Sequence, residues 1–190
     1  MTSSAPTVET VTDPADAKAV ASVAAVTFPL ACPPGTTTES TDAFVAANLT
    51  PAHFADHITA SDRDVLVARD AGRAILGYTL VVHSEPSDPE VREVVPMRPV
   101  TEISKVYVLE SAHGSGTAQA LVAASLDRAF ARGSVAAWLG VSNVNVRAQR
   151  FYTKSGFRIV GRKSFWLGGI EERDYVMVRD LTDAAGSRPA

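Results

Sequence analysis

Cysteine is almost absent from this chain. The single Cys32 excludes an intramolecular disulfide and any zinc cluster built on thiolates. There is no run of 18 apolar residues, so no transmembrane helix is expected. The first residues, Thr2–Ser4 followed by Glu9, contain no basic segment leading into an apolar one, so no secretory signal is expected either. Basic charge is scarce too. Lysine and arginine together number 18 against 21 acidic residues, a net charge of −3, with an isoelectric point near 5.8. Proteins that bind nucleic acid by releasing counterions are normally basic, so nucleic acid is not an expected partner. Only four of the basic residues are lysines, which reads as compositional bias. These absences leave a cytoplasmic chain with no membrane partner as the expectation.

What is present is a globular profile. The 190 residues, 46% hydrophobic and 21% charged, suffice for one domain over 1–182, followed by a flexible tail at 183–190. Alternation predicts a strand at Thr7–Val11. Asp13-Pro14 starts a helix that should end near Thr27, ahead of Pro29, Pro33, Pro34 and Gly35. Asp42–Leu49 and the stretch from Thr50 to Ile58 read as further helices. Val65–Ala68 and Ala74–His83 read as strands joined by a turn at 69–72. Ser84–Pro99 carries four prolines and many charges, and is expected to be an exposed loop or lid. A strand at Thr101–Leu109 precedes an amphipathic helix at Ser115–Arg132, stopped by Gly133. A strand at Ala136–Val141, a helix at Asn145–Ser155, and strands at Phe157–Leu167 and Asp174–Val178 complete the order. That order implies an α/β fold, a mixed sheet with helices on its faces.

The most informative stretch is the strand–glycine–helix element from Val106 to Ala118. Gly114 and Gly116 let the backbone bend sharply and gather N–H groups, and the helix start adds about half a positive charge. Together they form an anion site suited to a phosphate or pyrophosphate. No lysine follows as a P-loop requires, and Gln119 occupies the position where the dinucleotide fingerprint needs glycine or alanine. The segment His113-Gly114-Ser115-Gly116-Thr117-Ala118 does resemble the Gln/Arg-x-x-Gly-x-Gly/Ala loop of the GCN5-related N-acetyltransferase (GNAT) superfamily, with histidine in the first slot. Trp138-Leu139-Gly140-Val141, then Asn145, Ala148, Phe151-Tyr152 and Gly156-Phe157, resemble the second signature of that superfamily. Glu102-Ile103-x-Lys105-Val106-Tyr107-Val108, Ser164-Phe165-x-Leu167-Gly168 and Asp174-Tyr175-Val176-Met177 are similar to the PaiA-like polyamine N-acetyltransferases, although the N-terminal third departs from that pattern.

The resemblance implies a GNAT fold: a mostly antiparallel sheet whose fourth and fifth strands splay apart to admit acetyl-CoA. It implies direct transfer of acetyl to a primary amine in a ternary complex. The acceptor would be a small molecule, with polyamines first. Acidic residues among Glu85–Glu93 and at Glu171, Glu172 and Asp174 would attract a cation, against a plain solvated surface that explains them equally well. Acetylation of protein lysine or N-terminal amines, and a non-catalytic acyl-CoA-binding module, are the alternatives. Homodimerisation stays open. Tyr152 is implied as the acid that protonates the departing thiolate, against a plain core aromatic next to Phe151. Glu102 is implied as the base, against a solvated charge or an ion pair with Lys105 or an arginine. The backbone of Val106, Tyr107 and Val108 would meet the thioester and pantetheine, against ordinary ladder pairing. His113, Gly114, Ser115, Gly116, Thr117 and Ala118 would hold the pyrophosphate, with His113 alternatively capping the loop or standing in solvent. Asn145 would reach the pantetheine, cap its helix, or both. No metal is expected, because His53 and His57 share a helical spacing without a third ligand. Cys32 has no evident base partner.

Overall fold

The computed structural model describes residues 5–181. Its strands are β1 (Thr7–Thr10), β2 (Arg63–Arg69), β3 (Ile75–Val82), β4 (Val100–Val108), β5 (Ala136–Ser142), β6 (Arg158–Leu167) and β7 (Ile170–Asp180). Its helices are α1 (Ala17–Ala31), α2 (Thr38–Asn48), α3 (Pro51–Thr59), α4 (Pro89–Val94), α5 (Thr117–Ala131) and α6 (Val146–Lys154), with short 3₁₀ turns at Pro14–Asp16 and Glu110–Ala112. The seven strands form one sheet in the order β1-β2-β3-β4-β5-β7-β6. Every pairing is antiparallel except β4 with β5. This is the mixed, mostly antiparallel sheet flanked by helices that the sequence implied. The flexible tail expected at 183–190 lies outside the described residues.

Two clusters fill one face of the sheet. Val20, Ala24 and Phe28 of α1, with Phe54 of α3, pack on Val65, Val67, Tyr78 and Leu80. Val91 and Val95 pack on Val100, Trp138, Val176 and Val178. On the opposite face Val122, Leu126 and Ala129 of α5 meet Ile103, Leu139 and Met177, and α6 adds Phe151 and Tyr152 at the edge.

Four differences from the sequence reading exceed two residues. Helix α1 runs through Pro29 to Ala31, because a proline in the last turn forfeits only one intrahelical bond. Helix α2 starts at Thr38, not at Asp42, with the Thr37 hydroxyl accepting from the Ser40 N–H at 3.1 Å. Its first turn is polar, so hydrophobic periodicity could not reveal it. The expected exposed loop at Ser84–Pro99 holds α4, with Val91 and Val95 fully buried. Their burial contributes roughly 1.5–3 kcal/mol each, enough to anchor a six-residue helix that periodicity is too short to signal. Strand β7 begins at Ile170, opposite Leu167, and not at Asp174.

Candidate active site

The site begins where β4 and β5 part. They pair in parallel only over Val100–Glu102 with Ala136–Trp138. The β3–β4 register shifts between Leu80 and Val81, opposite Lys105 and Ile103, so Ser104 is an extra residue in β4. Without that bulge Lys105 and Tyr107 would point to the face opposite Glu102; with it, all three share one face. The separation leaves room for two adjoining cavities, of about 270 and 500 Å³.

The larger cavity runs from Val106–Val108 to the start of α5 and is closed by Arg147 and Phe151 of α6. His113, Gly114, Gly116, Thr117 and Ala118 line it. Gly114 and Gly116 hold φ of +78° and +86°, and no atom lies within 4 Å of where a Cβ would stand on either. Space is open at both positions, so the constraint there is backbone conformation and not crowding. No side chain caps α5, so the N–H groups of its first turn stay available to an anion. Ser115 turns back into the loop, donating to the Ala112 carbonyl at 2.7 Å and lying 2.7 Å from the Thr117 hydroxyl. His113 Nε2 donates to the Val108 carbonyl at 3.1 Å, which ties the loop to the end of β4. That is the capping role among the alternatives for His113. Asn145 caps α6, its Oδ1 accepting from the Ala148 N–H at 3.0 Å, and it also lines both cavities.

Tyr152 stands where the cavities meet, since it lines both. It is edge-on to Phe151 and Phe157, at 5.1 and 5.9 Å between ring centroids. Burial raises its phenol above the ordinary 10, so it stays protonated through the physiological range.

The smaller cavity has a charged floor and an apolar wall. Glu102, Lys105, Lys163, Glu172 and Asp174 supply the charge. Phe28 and Phe44 stack at 4.4 Å, 6° from parallel, on the other side, beside Cys32. Burial raises the Glu102 carboxyl, and Lys105 and Lys163 partly offset it. Burial likewise lowers the Lys105 ammonium against the pull of Glu102, and raises the Asp174 carboxyl. Burial also raises the Cys32 thiol, which makes it a poor nucleophile.

The fold brings together around the two cavities the candidate anion loop, Tyr152, Glu102 and the β4 segment that the sequence singled out. Of the acidic residues read as a possible cation lure, Glu172 and Asp174 line the cavity. Glu85 instead pairs with Arg98, and Glu90 accepts from the Ser164 N–H at 2.6 Å. Sequence reasoning missed Lys163 and Phe28 as site residues, and saw Lys105 only as an ion-pair partner. Nothing local signals Lys163; the β6–β7 register opposite Asp174 brings it in. His53 and His57 each bond elsewhere, to Thr50 and Arg63, and among the described residues no group of three His, Cys, Asp or Glu is arranged to hold a metal.

Comparison with known proteins gives concordant matches. Residues 33–157 match the model of the Acetyltransferase (GNAT) family. An uncharacterised N-acetyltransferase of Mycobacterium tuberculosis is 45% identical over 166 residues, spanning 87% of this chain and 98% of that protein. The solved PaiA N-acetyltransferase of Thermoplasma acidophilum, in complex with coenzyme A, aligns with a TM-score of 0.71 at 15% identity over 92% of this chain and 99% of that one. The Salmonella typhimurium protein yncA, solved with its cofactor acetyl-CoA, aligns at 0.63 with 20% identity over 93% and 94%. At these identities the two structures speak for the fold.

Proposed function

The chain belongs to the GNAT acetyltransferase family and is an acetyl-CoA-dependent N-acetyltransferase, and from that premise we propose that it acetylates the primary amine of a small molecule by direct attack in a ternary complex. The observation that carries this reading is the junction of the two cavities at Tyr152, beside the stretch of β4 that has left β5. The pyrophosphate of the cosubstrate sits on the loop at 114–118 and the first turn of α5. The pantetheine runs along Val106–Val108, where one strand N–H bonds the thioester oxygen. Stabilising the charge that develops there contributes about 3 kcal/mol in well-organised sites.

The amine enters through the smaller cavity. An ammonium of pKa ~10 must lose a proton first, and Glu102 is placed to accept it; its raised pKa brings it closer to the donor and makes it a better base. Nitrogen then bonds the acetyl carbonyl carbon and the C–S bond breaks. Tyr152 gives its proton to the leaving sulfur. The burial that raises the phenol also raises a thiol formed next to it, so the transfer is no harder than between exposed groups. Polyamines are the acceptor class that the sequence resemblance suggests first; the smaller cavity itself carries both signs of charge, Glu102, Glu172 and Asp174 beside Lys105 and Lys163.

The test is Tyr152→Phe, followed by thiol release with an amine panel. Turnover should fall at least about tenfold while the affinity for coenzyme A, measured by calorimetry, stays within about twofold. An unchanged rate removes Tyr152 from the chemistry, and no binding heat with acetyl-CoA removes the cosubstrate site.

A further inference from the structure

The smaller cavity holds two cations as well as three anions. Lys105 and Lys163, half of the lysines in the chain, both line it. Among the described residues no carboxylate oxygen lies within 4.0 Å of either ammonium, although both act on Glu102 through space. Ammonium groups taken from water into a cavity without an ion pair are costly unless a ligand supplies the counter-charge. Gly140 of β5 makes room for one of them. A Cβ on Gly140 would stand 2.9 Å from Lys163 Cε and 3.5 Å from Asp174 Oδ2, so an ammonium stem and a carboxylate converge over that glycine. The facing wall is the stacked Phe28–Phe44 pair, which offers an acceptor no polar contact. A polyamine would meet the three carboxylates but would also bring its charges beside two like charges, with nothing to satisfy them. The volume, about 270 Å³, suits a molecule of amino-acid size.

We propose that the acceptor is an α-amino acid with an apolar side chain, its carboxylate held by Lys105 and Lys163, its amine directed to Glu102 and Asp174, and its side chain laid against Phe28 and Phe44. This rests on the acetyl-transfer reading above. The transfer balances as R–NH₃⁺ plus acetyl-CoA giving R–NH–CO–CH₃, CoA–SH and one proton: the new N–C bond replaces the C–S bond, whose electron pair leaves on sulfur. The free carboxylate takes no part in bond-making and serves only to hold the amine in line.

The experiment follows thiol release from acetyl-CoA with L-leucine, L-methionine and L-phenylalanine. Beside them run L-leucinamide and the decarboxylated amines 3-methylbutylamine and phenylethylamine, with spermidine as the polycation. At least one amino acid should exceed its decarboxylated counterpart by about tenfold or more in kcat/KM, the worth of one charge-assisted contact. Lys163→Met should bring that ratio close to one. Gly140→Ala, which displaces the Lys163 stem, should move it the same way. Calorimetry with coenzyme A checks that each variant keeps the cosubstrate site. A preference for spermidine or for the decarboxylated amines overturns the proposal. So does a ratio unmoved by Lys163→Met, or coenzyme A binding with no amino acid accepted. Failure to bind coenzyme A overturns the acetyl-transfer reading itself, and the acceptor proposal with it.

Discussion

Glu102 shows how burial sets chemistry at the scale of one residue. Its carboxyl is drawn upward by desolvation and only partly brought back by Lys105 and Lys163. As a base it works when ionised, so kcat/KM should fall as pH drops through its raised pKa. Glu102→Gln should remove that limb, leave the dependence on the amine's own deprotonation, and lower turnover by about tenfold or more. A pH–rate profile of the variant that superimposes on the native one would mean that solvent takes the proton. Asp64 has the opposite balance. Burial alone would raise it, but Arg128 holds both its oxygens at 2.9 Å and His83 Nε2 lies 2.8 Å away, so the carboxyl ends below its ordinary value. Desolvation lowers the His83 imidazole against the pull of Asp64; Nε2 donates to the Asp64 carboxylate, and Nδ1 lies 2.9 Å from the Thr101 hydroxyl. Thr101 lies 2.8 Å from the Ser134 hydroxyl, so a continuous polar chain pins β4 one residue before its pairing with β5 ends.

Elements lock together through close contact with backbone. Helix α4 presses Val94 onto Gly161 of β6 so closely that an added Cβ would lie 2.6–2.8 Å from three atoms of that valine. Those atoms belong to a short, β-branched side chain on a docked helix, and they cannot swing aside. Gly161→Ala should therefore lift α4 and destabilise the fold by about 1–3 kcal/mol, the usual range for overpacking. The readout is the urea midpoint at constant slope; a midpoint equal to the native one would show that α4 is loosely docked. Beside the larger cavity, α5 leaves its first-turn N–H groups uncapped. A helix start without a side-chain cap forgoes about 1 kcal/mol of stability, and here the forgone groups face the larger cavity.

The whole molecule should be acid-sensitive. His57 is half-buried on α3, and desolvation, with Arg63 and Lys105 adding, lowers its pKa from 6.5 to about 4. The unfolded chain therefore binds this proton before the folded one does. Stability is complete above about 6.5 and declines as pH falls toward 4. After allowance for solvent screening, His57 alone should cost about 1 kcal/mol at pH 5. His83 shifts in the same direction, and Asp64 removes further stability only below its ordinary 3.8, as its carboxylate protonates. Urea midpoints should fall between pH 7 and pH 5, and His57→Gln should narrow the gap; equal midpoints at the two pH values would contradict this balance.

What the sequence determined by itself is local. The glycine pair opening a helix, the Asn145 cap, the aromatic pair at Phe151-Tyr152 and the long periodicity of α5 all lie within a few residues of one another. Short-range patterns therefore carried the family, the candidate anion loop and the candidate acid. The tertiary structure alone decided the smaller cavity. Its floor joins β4, β5, β6 and β7, and its wall joins α1 and α2, segments up to 146 residues apart between Phe28 and Asp174. Only strand register places Lys163 beside Asp174, only the bulge at Ser104 puts Lys105 on the face of Glu102, and only packing reveals α4 inside a proline-rich stretch. Charges on separate strands leave no periodic trace along the chain, because what brings them together is hydrogen-bonded pairing across the sheet.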